Sequence, residues 1–209
     1  MDRGPKEKKE RALGERLGLK GARCASPKCA AVRKPYKPGA HGKAGRPGGR
    51  RNQSDFGRQL MEKQKFKVSY GLNERGLRRI FNEAKVFHGD TSAKLMEFME
   101  RRLDNTVFRL GFAPSRYASR QLVVQGHIVV NGKRVHSPGY QVNKGDIIAI
   151  RKESKENKTF AGLKDVLKER ELPAWMALDP EKVEGRIISL PTGEKPPFEI
   201  SLLVESFSK

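Results

Sequence analysis

The chain has 209 residues, with 44 Lys and Arg against 24 Asp and Glu, and so carries a net charge of +20. A surplus of this size points to a polyanionic partner. No apolar run approaches the roughly 18 residues that a membrane span needs, and the N-terminal MDRGPKEKKERALGERLG lacks the apolar core of a secretory signal, so a cytosolic chain is expected. Its two cysteines, Cys24 and Cys29, cannot supply a disulfide framework.

The charge is unevenly placed. Residues 1–58 hold 17 basic and 5 acidic side chains, residues 59–150 hold 16 and 8, and residues 151–209 hold 11 and 11. The first segment also holds 10 of the 21 glycines and few bulky apolar residues, a composition that predicts a basic arm ordering on a polyanion rather than folding alone. The neutral last segment contains the one tryptophan, Trp175, and reads as a packing or protein-contact element. No internal repeat is evident.

In chain order, SDFGRQLMEKQKFKVSYG predicts a helix capped by Ser54 and closed at Gly71. Asn73 caps a second, in which Leu77, Ile80, Phe81, Ala84 and Phe87 repeat at three- and four-residue spacing. Thr91 or Ser92 opens a third, through Leu95, Phe98, Met99 and Arg102. LDNTVFRLGF is then a short helix ending at Gly111, and Ser115 caps SRYASRQLVVQ, which stops at Gly126. HIVVNGKRV is two apolar runs joined by Asn131-Gly132, the signal of a type I′ hairpin. A further strand follows the turn at Asn143–Asp146, running to Ile150. Beyond it, ENKTFAGLKDVLKERELP reads as helical up to Pro173, and RIISLP and FEISLLVESF read as a pair of terminal strands. The fold class is α+β: a basic Gly/Pro-rich arm over 1–53, a small helical domain over 54–102, two helices on a small antiparallel sheet over 103–150, and a terminal segment over 151–209.

The stretch RRLDNTVFRLGFAPSRYASRQLVVQGHIVVNGKRVHSPGYQVNKGDIIAI resembles the S-four RNA-binding domain, which occurs in a small-subunit ribosomal protein and in several RNA-modifying enzymes. RCASPKCAAVRKPYKPGAHG, followed by SDFGRQLMEKQKFKVSYGLNERGLRRIF, resembles the bacterial-type ribosomal S-four family and not its enzymatic relatives. The similarity runs from about Gly21 to the C-terminal FSK. It implies a non-catalytic, primary binder of 16S ribosomal RNA that grips a helix junction of the 5′ domain early in 30S assembly. It further implies a neighbour, protein S-five, a place beside the messenger entry side, and a part in translational fidelity. The RNA-binding domain would be an insertion, with the segment after Ile150 folding back onto the helical domain. A free S-four-domain factor, modifying RNA or regulating a messenger, is the alternative.

Cationic side chains bridge RNA backbones at junctions, where the deep major groove is hard to read, and arginine does so with a planar fork. In the arm the expected contacts are Arg33, Lys34, Tyr36, Lys37, His41, Lys43, Arg46, Arg50 and Arg51; on the helices they are Arg58, Lys63, Lys65, Lys67, Arg78 and Arg79. In the inserted domain Arg116 and Arg120 share one helix face at a spacing of four, and His127, Asn131, Lys133 and Arg134 lie along the hairpin. Arg102 and Asp104 read as structural polar contacts. Some members of the resembled family carry a four-cysteine zinc knuckle, but here only Cys24 and Cys29 stand in that segment, with His41 as the nearest further ligand, so no metal and no cofactor is expected. No phosphate-binding glycine loop, histidine cluster or nucleophile elbow is present, which argues against an enzyme.

Overall fold

The computed structural model describes residues 4–40, 42, 54–193 and 198–208, in two compact units. One comprises the described residues up to Lys94 together with those after 195; the other runs from Leu95 to 193.

The first unit begins with α1 (Lys6–Leu13) and two single-turn helices, α2 (Ala22–Ala25) and α3 (Ala30–Arg33). This part of the expected arm is therefore folded, and the reason lies in two buried acids rather than in apolar mass. Glu10 is 2% exposed and its Oε1 accepts the N–H groups of Leu17 and Leu19, at 3.2 and 3.0 Å. Glu7 takes Arg23 Nε at 2.7 Å on one oxygen and the N–H of Ala30 at 3.0 Å on the other. Leu19 and Cys29 are buried with them.

Two long helices follow. In α4 (Asp55–Ser69) the Ser54 hydroxyl accepts the N–H of Gly57, and Gly71 ends the helix with φ +64°. In α5 (Glu74–Lys85) the Asn73 side chain accepts the N–H of Gly76 at 2.7 Å, and Leu77, Ile80, Phe81 and Ala84 are buried as their spacing requires. The C-terminal FEISLLVESF, expected as a strand, is instead α10 (Ile200–Ser208), which packs along α4. Its apolar residues fall at helical spacing, with Leu203 buried and Phe207 one turn on stacked on Phe81 at 4.6 Å, while Phe198 meets Phe66 edge-on at 5.9 Å. Tertiary contact with these rings outweighs the strand preference of Phe, Ile and Val. The amide of Gln59 donates to Glu205 at 2.9 Å across the same pair of helices.

Helix α6 (Thr91–Glu100) leads into the second unit, where α7 (Leu103–Arg109) and α8 (Arg116–Val124) pack together. Ser115 caps α8 by accepting the N–H of Ala118 at 3.2 Å. The strands are β1 (Ile128–Val130), β2 (Lys133–Arg134), β3 (Ile147–Ile150), β4 (Met176–Asp179) and β5 (Glu184–Ile187), all antiparallel in the order β2-β1-β3-β5-β4. Asn131 and Gly132 both have positive φ, 50° and 77°, as the type I′ hairpin requires.

The sheet is larger than the sequence reading. Residues beyond Ile150 contribute two strands to it, and Trp175, Met176, Val183 and Ile187 lie in one core with Val107, Leu110, Val123, Ile128 and Ile148. The segment expected to fold back on the helical domain is thus split, and only the described residues after 195 belong to the first unit. The long helix expected before Pro173 shrinks to a 3-10 turn at Lys158–Phe160 and α9 (Leu163–Lys168), because Gly162 takes a left-handed conformation between them.

Gly185 on β5 admits the buried Leu110 that caps the C-terminus of α7: a Cβ there would stand 2.5 Å from both Leu110 methyl carbons. Gly185→Ala is expected to destabilise the protein by about 1–3 kcal/mol through overpacking, read as a lower urea midpoint.

Candidate nucleic-acid interface

The second unit is organised by two buried carboxylates on either side of the α6–α7 joint. Asp104 is 4% exposed and receives the fork of Arg102, Nε to Oδ1 at 3.1 Å and Nη2 to Oδ2 at 2.7 Å. Arg120, from α8, adds a third bond to Oδ2 at 3.1 Å, and the Ser119 hydroxyl donates to the Asp104 carbonyl. Glu100, fully buried, receives Arg109 Nε at 2.9 Å and Nη2 at 3.2 Å and the Asn105 amide at 2.8 Å. Asn105 passes the network on, its Oδ1 accepting Arg116 Nε at 2.7 Å, and the Arg116 guanidinium lies 4.8 Å from the centre of the Phe108 ring. Burial pushes the Glu100 carboxyl up, but the Arg109 hydrogen bonds and charge, helped by Arg116 and Asn105, outweigh it and hold the pKa below its ordinary 4.5.

Arg116 and Arg120 do share one face of α8, but each is half-buried and anchored to an acid or amide of α7. Arg102 and Asp104 are the structural pair that the sequence suggested. Asn131 is a structural turn residue: its amide donates to Asp146 at 2.8 Å and its oxygen accepts the N–H of Ile147 at 2.9 Å. His127 is tied to Ser154 Oγ at 3.0 Å and stands edge-on to Phe160. Lys133 and Arg134 are exposed on β2, and the Arg134 guanidinium lies so close over Gly126 that a Cβ there would meet Nη2 at 2.7 Å.

In the first unit the structure separates the lysines of α4 from the arginines of α5. Lys63 and Lys67 both pair with Glu74, and Lys65 pairs with Glu15 and Glu62 at 2.6 Å; the three side chains are only 13–18% exposed. Although burial disfavours each charge, the two lysines keep the Glu74 carboxyl below its ordinary pKa, and the two acids keep Lys65 above its own. This row is bound inside the protein. Arg78 and Arg79 are exposed on the outer face of α5, Arg79 loosely beside Glu83 at 3.6 Å, while exposed Arg58 pairs with Asp55 one turn back.

Near the N-terminus, Arg33, Lys34 and Lys37 are exposed. Tyr36 is half-buried under Arg11, whose guanidinium sits 5.1 Å from the ring centre while its Nε donates to the carbonyls of Lys34 and Tyr36. His41, Lys43, Arg46, Arg50 and Arg51 lie outside the described residues.

Two family descriptions match successive parts of the chain over residues 2–148. Residues 2–100 match "Ribosomal protein S4/S9 N-terminal domain" and residues 101–148 match "S4 domain". The chain is 41% identical over 210 residues to the small ribosomal subunit protein uS4 of Halothermothrix orenii, covering 99% of this chain and 98% of that protein. It is 43% identical over 201 residues to uS4 of Solidesulfovibrio magneticus, covering 95% and 94%. The uS4 protein of Caldicellulosiruptor saccharolyticus gives 42% over 208 residues, covering 99% and 98%.

The chain belongs to the uS4 family of small ribosomal subunit proteins. This is a structural, non-enzymatic family, and the resemblance drawn from the two quoted segments holds for nearly the whole chain. No helix among the described residues is long and apolar enough to cross a membrane. What the sequence reading missed is the acid side of the interface: Glu7, Glu10, Glu74 and Glu100 each decide where a neighbouring cation or backbone donor points. The signal was present, since acids are scarce in this part of the chain and Glu7 and Glu10 stand at helical spacing.

The buried carboxylates can be tested one at a time. Asp104→Ala leaves the buried Arg102 guanidinium uncompensated and is expected to cost about 3–5 kcal/mol, measured by urea unfolding. Because the Glu100 pKa is lowered on folding, its contribution is complete above the unfolded carboxyl's range and is lost as pH falls through the folded value. Wild-type stability is therefore expected to drop below about pH 4.5, and Glu100→Gln to be less stable near neutrality with a shallower acid limb.

Proposed function

We propose that this chain is a primary binder of 16S ribosomal RNA in the small subunit of the cytosolic ribosome, gripping a helix junction of the 5′ domain and nucleating subunit assembly. The observation that carries this reading is the division of the cations into an inner set and an outer set. Lys63, Lys65, Lys67, Arg102 and Arg109 are neutralised against carboxylates, whereas Arg33, Arg78, Lys133 and Arg134 lie exposed on helices and strands, with Lys34 and Lys37 exposed on the loop after α3. Exposed cations held on rigid elements suit phosphates fixed in space, as at an RNA junction, better than a flexible, sequence-tolerant tail would. Arg116 and Arg120 serve chiefly to set the α8 surface, with their outer edges turned to the same ligand.

Tyr36, His41 and the arm cations Lys43, Arg46, Arg50 and Arg51 extend this binding surface in the same reading, together with Arg58, Arg79 and His127. Contact with protein S-five, proximity to messenger RNA at the entry side and a share in translational accuracy complete the proposal. They rest on family resemblance.

The test is filter binding of the full chain to a 16S 5′-domain transcript over a range of salt. Lys133→Glu with Arg134→Glu is expected to weaken binding about tenfold or more and to flatten the log–log salt slope by roughly 1 to 2, since each phosphate contact contributes about 0.7–0.9. An unchanged affinity and slope would remove the hairpin from the interface. Sucrose-gradient fractionation at high salt tests the ribosomal role as a whole: retention on small subunits supports a ribosomal component, and recovery in the light fractions supports a free RNA-binding factor.

A further inference from the structure

Zinc is the ion that the family resemblance brings to the N-terminal segment, and the donor set there tests whether it fits. The thiols of Cys24 and Cys29 and one carboxylate oxygen of Glu10 lie within 4.8 Å of one another. A closed structural zinc site takes four donors. Glu7, the other buried carboxylate of α1, is not available as a fourth: one of its oxygens is held by Arg23 and the other by the N–H of Ala30. Glu10 is committed as well, with Oε1 accepting the N–H groups of Leu17 and Leu19 and Oε2 facing the Cys24 thiol at 3.9 Å. Cys24 Sγ in turn accepts the N–H of Lys20 at 3.3 Å. No other His, Cys, Asp or Glu among the described residues joins the group. Among the described residues the set is therefore one donor short, and its Glu10 carboxylate and Cys24 thiol already accept backbone N–H groups.

The bonds made by these two acids also have the reach that a structural ion would have. From one face of α1, Glu10 fixes the loop at Leu17–Leu19, while Glu7 fixes α2 through Arg23 and the start of α3 through Ala30. We propose that the N-terminal segment of this chain is a metal-free knot, in which the side chains of Glu7 and Glu10 tie three successive pieces of chain to α1 by direct hydrogen bonds, two through backbone N–H groups and one through the Arg23 side chain, and Cys24 and Cys29 are reduced packing groups. Its fold is then independent of metal supply, and this holds whether or not the chain binds RNA as proposed above.

The experiment uses the full chain purified without added metal. Elemental analysis is expected to find far less than one zinc or iron per chain, and 1,10-phenanthroline is expected to leave the rate of trypsin cleavage between Lys6 and Arg33, read by mass spectrometry, unchanged. Glu10→Ala, which strands two backbone N–H groups, is expected to raise that rate about tenfold or more. Cys24→Ser keeps an acceptor for Lys20 and a donor for Glu10, and is expected to cleave like the wild type. Zinc retained at one per chain, faster cleavage on chelation, or a Cys24→Ser variant as open as Glu10→Ala would overturn the proposal. Should Glu10→Ala fail to fold, metal content and chelation of the wild type still decide it.

Discussion

With 44 bases and 24 acids, the chain can reach a compact state only where its few carboxylates are placed against its most crowded cations. Asp104 shows how: two guanidinium groups, from Arg102 ahead of α7 and Arg120 on α8, converge on one buried carboxylate and fix the two helices to each other. Glu100 does the same for Arg109, and through Asn105 for Arg116. A lone buried charge would be strongly destabilising; a carboxylate divided among several donors offsets its desolvation and also dictates where each arginine lies. The exposed cations are what remains once these internal demands are met.

The same pattern runs through the first unit. Glu74 holds two lysines of α4 at the start of α5, Glu62 and Glu15 share Lys65, and Glu7 and Glu10 order a segment that has almost no apolar core. Apolar packing is concentrated elsewhere, in the aromatic contacts of Phe66, Phe81, Phe198 and Phe207.

Much of this was legible in the amino-acid sequence where the signals are local. The caps at Ser54, Asn73 and Ser115, the spacing of Leu77, Ile80, Phe81 and Ala84 in α5 and the Asn131-Gly132 turn each depend on a few adjacent residues, and each stands as read; Phe87, read as the last of the α5 series, lies beyond the end of the helix and is exposed. The errors came where distant residues decide. FEISLLVESF has strand-like composition but is helical because its partners are rings on α4 and α5, more than a hundred residues away. Strand β4 carries Met176, Ala177, Leu178 and Asp179, an undistinguished run whose place is set by pairing with β5. Within the candidate interface, sequence could count the cations but could not sort Lys63, Lys65 and Lys67, already paired, from Lys133 and Arg134, which lie open. That distinction is a matter of which acid lies nearby in space.

The order of the sheet bears on how the chain is made. Strands β1, β2 and β3 lie within 23 residues of one another, yet one edge of β3 is covered only by β5, which ends at Ile187. Helix α4 likewise waits for α10, which ends at Ser208. During synthesis on a ribosome, one unit therefore stays open along one side until β5 clears the exit tunnel, and the other until α10 does. A chain released early would expose an unpaired strand edge in one unit and bare aromatic rings in the other, surfaces that invite aggregation and that a cell's proteases can recognise as unfinished.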